Sequence, residues 1–176
     1  HMVAPTKDEK KLYVANIGSG SVTVIDRGSD AVTSIPTGAG AEGIAVSPDG
    51  REVWVTNRAA GTVSIIEVAT DKVAATFESG GKFPIRVKFT PDGRQAWVSN
   101  AQSNSVSVFD AKTRQLVATM EVGAVPVGIL MTPDGGRAFV ANTNANQVTV
   151  FDVPGRKILT TFTTGNEPDG MAWARN

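Results

Sequence analysis

The residues of this chain that could do chemistry are carboxylates, hydroxyls and guanidinium groups, because thiols and imidazoles are almost absent. There is no Cys, and the one His stands at position 1. Without Cys there is no thiol nucleophile, zinc knuckle, iron–sulfur site or disulfide framework. His1-Met2 reads as the scar of a cleaved expression tag. With it set aside, no imidazole remains for Ser-His-Asp hydrolysis, HExxH zinc chemistry or haem ligation. Two sets of acidic residues recur along the chain. Asp49, Asp92 and Asp134 each stand in Pro-Asp-Gly, while Asp26, Glu67, Asp110 and Asp152 close alternating apolar stretches, with Ser29, Thr70 and Thr113 following the first three. Paired carboxylates can serve as general acid and base. Chemistry, however, does not need the same residue at every turn of a repeat, whereas folding does. Both sets read as turn residues that bond local backbone donors.

A third motif, Gly38-Ala39-Gly40-Ala41-Glu42-Gly43, fits G-x-G-x-x-G. That fingerprint works by seating a pyrophosphate at the N-terminus of a following helix. Here the β-favouring segment Ile44-Ala45-Val46 follows, so the dinucleotide reading fails. Pro168-Asp169-Gly170 repeats the Pro-Asp-Gly letters out of register, which puts Asp169 on the opposite rim from the other three aspartates.

The elements that must position these groups are strands. The chain has 23 Val and 18 Thr against 4 Leu, a β-branched bias that suits a pleated surface and disfavours helix. Four copies of one tetrapeptide recur: Tyr13-Val14-Ala15-Asn16, Trp54-Val55-Thr56-Asn57, Trp97-Val98-Ser99-Asn100 and Phe139-Val140-Ala141-Asn142. Each precedes a stretch alternating at period 2, namely SVTVID, TVSIIE, SVSVFD and QVTVFD. A further stretch begins at Ala31, Lys72, Gln115 and Lys157, and a fourth carries GIAVSPDG, RVKFTPDG and GILMTPDG. Four short strands in a unit of roughly 40 to 45 residues is the period of a β-propeller blade.

The set (Y/W/F)-V-x-N, V-x-V-(I/F)-D and (S/T)-P-D-G resembles the YVTN family of β-propeller repeats, in register from Leu12 onward. The resemblance implies that the Pro-Asp-Gly strand is innermost and the K-V-x-x-T strand outermost. It also implies a periplasmic, secreted or cell-surface location; no signal peptide is visible in the sequence. On this register the expectation is an all-β propeller of four blades with four antiparallel strands each. Blade 1 takes residues 12–38 plus 168–174, blade 2 takes 42–80, blade 3 takes 84–123 and blade 4 takes 126–165, within one domain spanning 3–176. Gly170 to Ala174 would close the first blade as its inner strand. The alternative is half of an eight-bladed ring completed by a dimer, since members resembling this chain commonly carry seven repeats.

The loops that follow the four tetrapeptides differ between units while the strands do not. Variable loops on a repeated scaffold are where specificity can reside. They share one face with the outer-to-inner connections around Glu42, Ser79 to Arg86, Gly123 to Val127 and Gly165 to Asp169. Candidate residues for a ligand or interaction face are Glu42, Arg58, Lys82, Phe83, Arg86, Asn104, Asn144, Asn146, Glu167 and Asp169. Arg86 breaks the repeat most sharply, because the other units have Gly43, Gly128 and Gly170 there. An inward Arg beside carboxylates either fills a narrow channel with an ion-pair network, the reading preferred here, or forks onto an anion.

No catalytic or metal-ligating residue and no cofactor is assigned. The 17 Lys and Arg against 17 Asp and Glu, a formal net charge of +0, argue against nucleic acid as a partner. No apolar run is long enough to span a membrane. The functional expectation is a non-enzymatic scaffold or binding module for a protein, glycan or small ligand, with homo-oligomer formation open. The alternatives are a propeller enzyme resembling lactonases or quinoproteins with a channel-centred site, and a fragment of a longer YVTN propeller with no independent function.

Overall fold

The computed structural model describes residues 1–174. Four sheets of four antiparallel strands follow one another along the chain. The first holds β1 (Val3–Pro5), β2 (Lys11–Asn16), β3 (Ser21–Asp26) and β4 (Val32–Pro36); the second holds β5 (Ala41–Val46), β6 (Glu52–Asn57), β7 (Thr62–Glu67) and β8 (Lys72–Glu78). The third runs through β9 (Pro84–Phe89), β10 (Gln95–Asn100), β11 (Ser105–Asp110) and β12 (Leu116–Glu121). The fourth runs through β13 (Pro126–Met131), β14 (Arg137–Asn142), β15 (Gln147–Asp152) and β16 (Lys157–Thr163). A short 3₁₀ turn at Thr143–Ala145 is the one helical element among the described residues. The molecule is an all-β propeller array of four blades.

Burial explains the pattern of the strands. Second strands are covered on both faces by neighbouring blades, so β6 and β10 are buried from their second residue onward, whereas β16 is exposed throughout. The tetrapeptide Asn ties second strand to third: Asn57, Asn100 and Asn142 donate through Nδ2 to the hydroxyls of Ser64, Ser107 and Thr149 at 2.9, 2.8 and 2.8 Å. Between successive blades lie three apolar cores. Tyr13, Ile35, Ile44 and Ile66 join blades 1 and 2; Trp54, Val87 and Phe109 join blades 2 and 3; Trp97, Ile129 and Phe151 join blades 3 and 4.

The first blade corrects the expected closure. Its inner strand is β1, paired with β2 through Val3 to Val14 and Pro5 to Leu12, and Gly170 to Ala174 does not pair with it. The physical reason is a turn hidden in Pro5-Thr6-Lys7-Asp8-Glu9. Thr6 Oγ1 donates to Asp8 at 2.7 Å, as Ser47 Oγ donates to Asp49 at 2.6 Å, and Glu9 takes φ 58 where Gly50 takes φ 76. A complete Ser/Thr-x-Asp hairpin thus precedes Leu12, with Lys7 in place of Pro and Glu9 in place of Gly. The C-terminal segment instead runs beside β13. A Cβ at Gly128 would strike the Asp169 carbonyl, just as one at Gly43 would strike the Ile85 carbonyl. Trp173 Nε1 donates to the Met131 carbonyl at 2.7 Å, and its ring meets Phe139 edge-on at 5.8 Å. Phe89 meets Trp54 the same way, at 5.4 Å. The segment therefore sits where the inner strand of a fifth blade would begin.

Candidate functional site

The rim that carries the Pro-Asp-Gly turns is built alike in every blade. Asp49 and Asp92 accept a hydroxyl from Ser47 and Thr90 and a backbone N–H from Arg51 and Arg94, and Asp134 does the same with Thr132 and Gly136. These hydrogen bonds, the hydroxyl first, hold all three carboxyls below the ordinary range. The Asp26 and Asp110 carboxylates accept N–H and hydroxyl from Ser29 and Thr113, and these bonds lower them likewise. Tyr13 donates its phenol to Asp71 at 2.6 Å and Lys11 reaches the same carboxylate at 2.7 Å, locking blade 1 to blade 2. Burial first, then the Asp71 bond, pushes the Tyr13 phenol well above its usual value. A cleft of about 440 Å³ opens on this rim between Pro48, Arg51, Phe89 and Lys112, but its aspartates are engaged in their own turns. The repeated aspartates of this rim hold turns closed, and Asp71 and Glu52 tie neighbouring blades together.

The opposite face brings together most of the repeat-breaking residues. Glu42 is 5% exposed, and its carboxylate takes Arg58 at 2.9 Å on one oxygen and lies 3.6 Å from Arg86 on the other. Arg86 also reaches Asp169 at 3.5 Å. Arg58 stacks over Phe83, with 5.1 Å to the ring centroid. Five expected residues thus form one connected cluster at the start of the inner strands. Three others, Asn144, Asn146 and Glu167, line a separate groove of about 640 Å³ with Thr143 and Asn166. Asn146 Oδ1 accepts the Glu167 N–H at 2.9 Å, and Asn104 Oδ1 accepts the Val125 N–H at 3.0 Å, so both asparagines clamp a junction loop. Lys82 is exposed and anchored through its backbone alone, to Ser103 and Gln102. Asn166 and Thr143 escaped the sequence reading because neither breaks a motif; their adjacency to Glu167 and Asn144 was the available signal.

The junction loops share one backbone feature. At the residue before β5, β9 and β13, and before Pro168 of the C-terminal segment, the chain is left-handed: Gly40 at φ 78, Phe83 at φ 60, Val125 at φ 55 and Glu167 at φ 53. Glycine adopts this region freely, whereas an L side chain there costs roughly 1–2 kcal/mol. A β-branched Val is the most disfavoured occupant, and three of these residues precede Pro84, Pro126 and Pro168, which favour extended backbone before them.

A family model described as the cytochrome D1 heme domain matches residues 2–143. The chain belongs to that family. Among solved structures it is similar to the hydrazine synthase of Kuenenia stuttgartiensis, with a TM-score of 0.85 and 22% identity; the match covers 90% of this chain and 47% of that one. The chain thus spans about half of that neighbour, and the likeness shows the propeller fold. No curated protein matches.

The family name implies a haem, and the donor set here does not fit one. Haem iron takes His, Cys, Met or Tyr. Tyr13 is fully buried on Asp71, Met2, Met120 and Met131 pack into interblade cores, Met171 is a half-buried residue of the C-terminal segment, and the imidazole of His1 faces Glu42 at 3.4 Å. Among the described residues no group of three or more His, Cys, Asp or Glu is arranged to hold a metal. No helix there is long and apolar enough to cross a membrane.

Proposed function

We propose that the chain is a propeller scaffold whose junction-loop face binds a polar partner, a glycan, protein or small ligand, without catalysing a reaction. One observation carries this reading: three junctions place Phe83, Val125 and Glu167 at a left-handed position that Gly40 fills without strain. The backbone is repeated, so folding requires it; the side chains are not repeated and work against folding locally. Strain held at a loop is a pointer to function when the surroundings enforce it. The groove beside Glu167 offers amides, a hydroxyl and a carboxylate, a set that pairs with sugar hydroxyls.

The cluster of Glu42, Arg58, Phe83, Arg86 and Asp169 serves this face as its rigid centre. Arg86 Nη1 is buried without a hydrogen bond, its nearest counter-charge Glu42 at 3.6 Å, which favours a structural ion pair over an open anion fork. The resemblance to YVTN repeats adds an extracytoplasmic setting to this reading. A thermal-shift screen with sugars, sugar lactones, phosphorylated sugars and divalent ions tests it, since a ligand bound only by the native state raises the midpoint. The expected hit stabilises the parent protein and not Glu167→Gly. A hit from a divalent ion that survives Glu167→Gly would favour a channel-centred enzyme instead.

A further inference from the structure

Two positions recur on the turn rim wherever one blade meets the next. One is the first residue of the second strand, paired across its hairpin with the acidic end of the third strand: Lys11 with Asp26, Glu52 with Glu67 and Gln95 with Asp110. The other belongs to the blade that follows and is the fourth residue after its own acidic end, where Asp71, Arg114 and Arg156 are left-handed at φ 55, 62 and 50. At the first two junctions these positions meet with their charges inverted. Lys11 Nζ lies 2.7 Å from Asp71, whereas the Glu52 carboxylate lies 2.9 Å from Arg114. Side-chain exposure is 21% and 27% in the first pair and 34% and 28% in the second, so both are screened less by salt than a fully exposed pair. The aromatic residue two positions on follows the charge. The Tyr13 phenol donates across the junction to Asp71 at 2.6 Å, while the Trp54 indole donates to Glu52 of its own strand at 2.8 Å. Trp97 donates to Gln95 in the same way at 3.0 Å, but Gln95 has no charge to offer Arg156.

We propose that the inverted pairs are keys that fix which blade docks on which. Blades built on one repeat present similar apolar faces, and misassembly between units is the characteristic failure of such arrays. Docking of blade 1 on blade 3 or blade 4 would set Lys11 against Arg114 or Arg156. Docking of blade 2 of one molecule on blade 2 of another would set Glu52 against Asp71. Each error brings like charges together in a partly buried site, a repulsive element that discriminates where the apolar contacts do not. Gln95 is the neutral exception, so the third junction is held by its apolar core and adds no discrimination by charge.

The test compares two variants of the first junction. Both lose the Tyr13 phenol and the Lys11 ammonium, which also donates to the Val68 carbonyl at 2.9 Å. The neutral variant is Lys11→Gln, Tyr13→Phe, Asp71→Asn. The exchanged variant is Lys11→Glu, Tyr13→Phe, Asp71→Arg, which gives the first junction the signs of the second. The exchanged variant should melt no lower than the neutral one, because it restores an ion pair. On rapid dilution from urea at about 1 to 50 μM, its yield of refolded protein should nevertheless fall by about half relative to the neutral variant, with the remainder seen by light scattering. A pair that only stabilised would give a yield that follows the melting temperature. A melting temperature below that of the neutral variant, or a yield equal to or above it, overturns the proposal. Gln95→Glu is an independent test, since it supplies the missing charge at the third junction. The new carboxylate would take the Trp97 indole on one oxygen and Arg156 on the other, as Glu52 takes Trp54 and Arg114. The melting temperature should rise by about 1–3 °C; no rise would overturn the reading of this position as a key.

Discussion

The two rims of this propeller are made by the same strands and differ in what they repeat. On the turn rim every blade repeats one device, a hydroxyl two residues before an aspartate that also takes a backbone N–H, and it recurs at Thr6-Asp8, Ser47-Asp49, Thr90-Asp92 and Thr132-Asp134. On the junction rim the backbone repeats but the side chains do not, so Gly40, Phe83, Val125 and Glu167 occupy one conformation. Where side chains repeat, the fold requires them. Where only the backbone repeats, the repeat does not fix the side chain; this holds for Phe83, Val125 and Glu167, and equally for the left-handed Asp30, Asp71, Arg114 and Arg156 of the turn rim, so the proposed binding role rests on the junction loops sharing one face.

Several variants break or sharpen that contrast. The largest effect is expected at Tyr13→Phe, which removes a hydrogen bond to a charged group from a junction between blades. Such a bond contributes about 1.5–3 kcal/mol, and because Lys11 still neutralises Asp71, the loss should fall at the lower end, seen as a lower urea midpoint with unchanged slope. Asp92→Ala should cost about 1 kcal/mol by the same measurement, as two neutral donors lose their acceptor; no loss there would remove the turn rim's structural assignment.

Acid should act on the turn rim. Hydrogen bonds hold the carboxyls of Asp8, Asp26, Asp49, Asp92, Asp110 and Asp134 below the ordinary aspartate range in the folded state. Their stabilisation is present above the unfolded value and is lost as pH falls through the depressed folded values. The melting temperature should therefore hold from neutral pH down to about 4 and decline below it. The groups are well solvated, so each contributes little and the decline is shallow.

The strands were legible in the sequence because two periods reinforced each other, alternation within a strand and recurrence of the tetrapeptide about every 42 residues. Five of the ten expected face residues meet in one cluster because each departs from a repeat whose geometry is fixed. The first inner strand was not legible. Its turn keeps the hydroxyl and the aspartate but replaces Pro with Lys7 and Gly with Glu9, the two residues by which such turns are recognised. The segment Gly170 to Ala174 has the sequence of an inner strand but lies beside β13 and not in blade 1, since sequence register names a strand's type and not the sheet it joins. The left-handed junctions were hidden for a similar reason: Phe83, Val125 and Glu167 each precede a proline, and that pairing argues for extended backbone.

The most direct test of the proposed binding face needs no ligand. Val125 occupies a left-handed position that a folding requirement alone would give to glycine, so Val125→Gly should leave the melting temperature unchanged or raise it. Relief of about 1 kcal/mol, net of lost contacts, corresponds to roughly 2–4 °C for a chain of this size. A fall of more than a few degrees would show that the valine is held for stability, and would contradict the assignment of the junction side chains to binding.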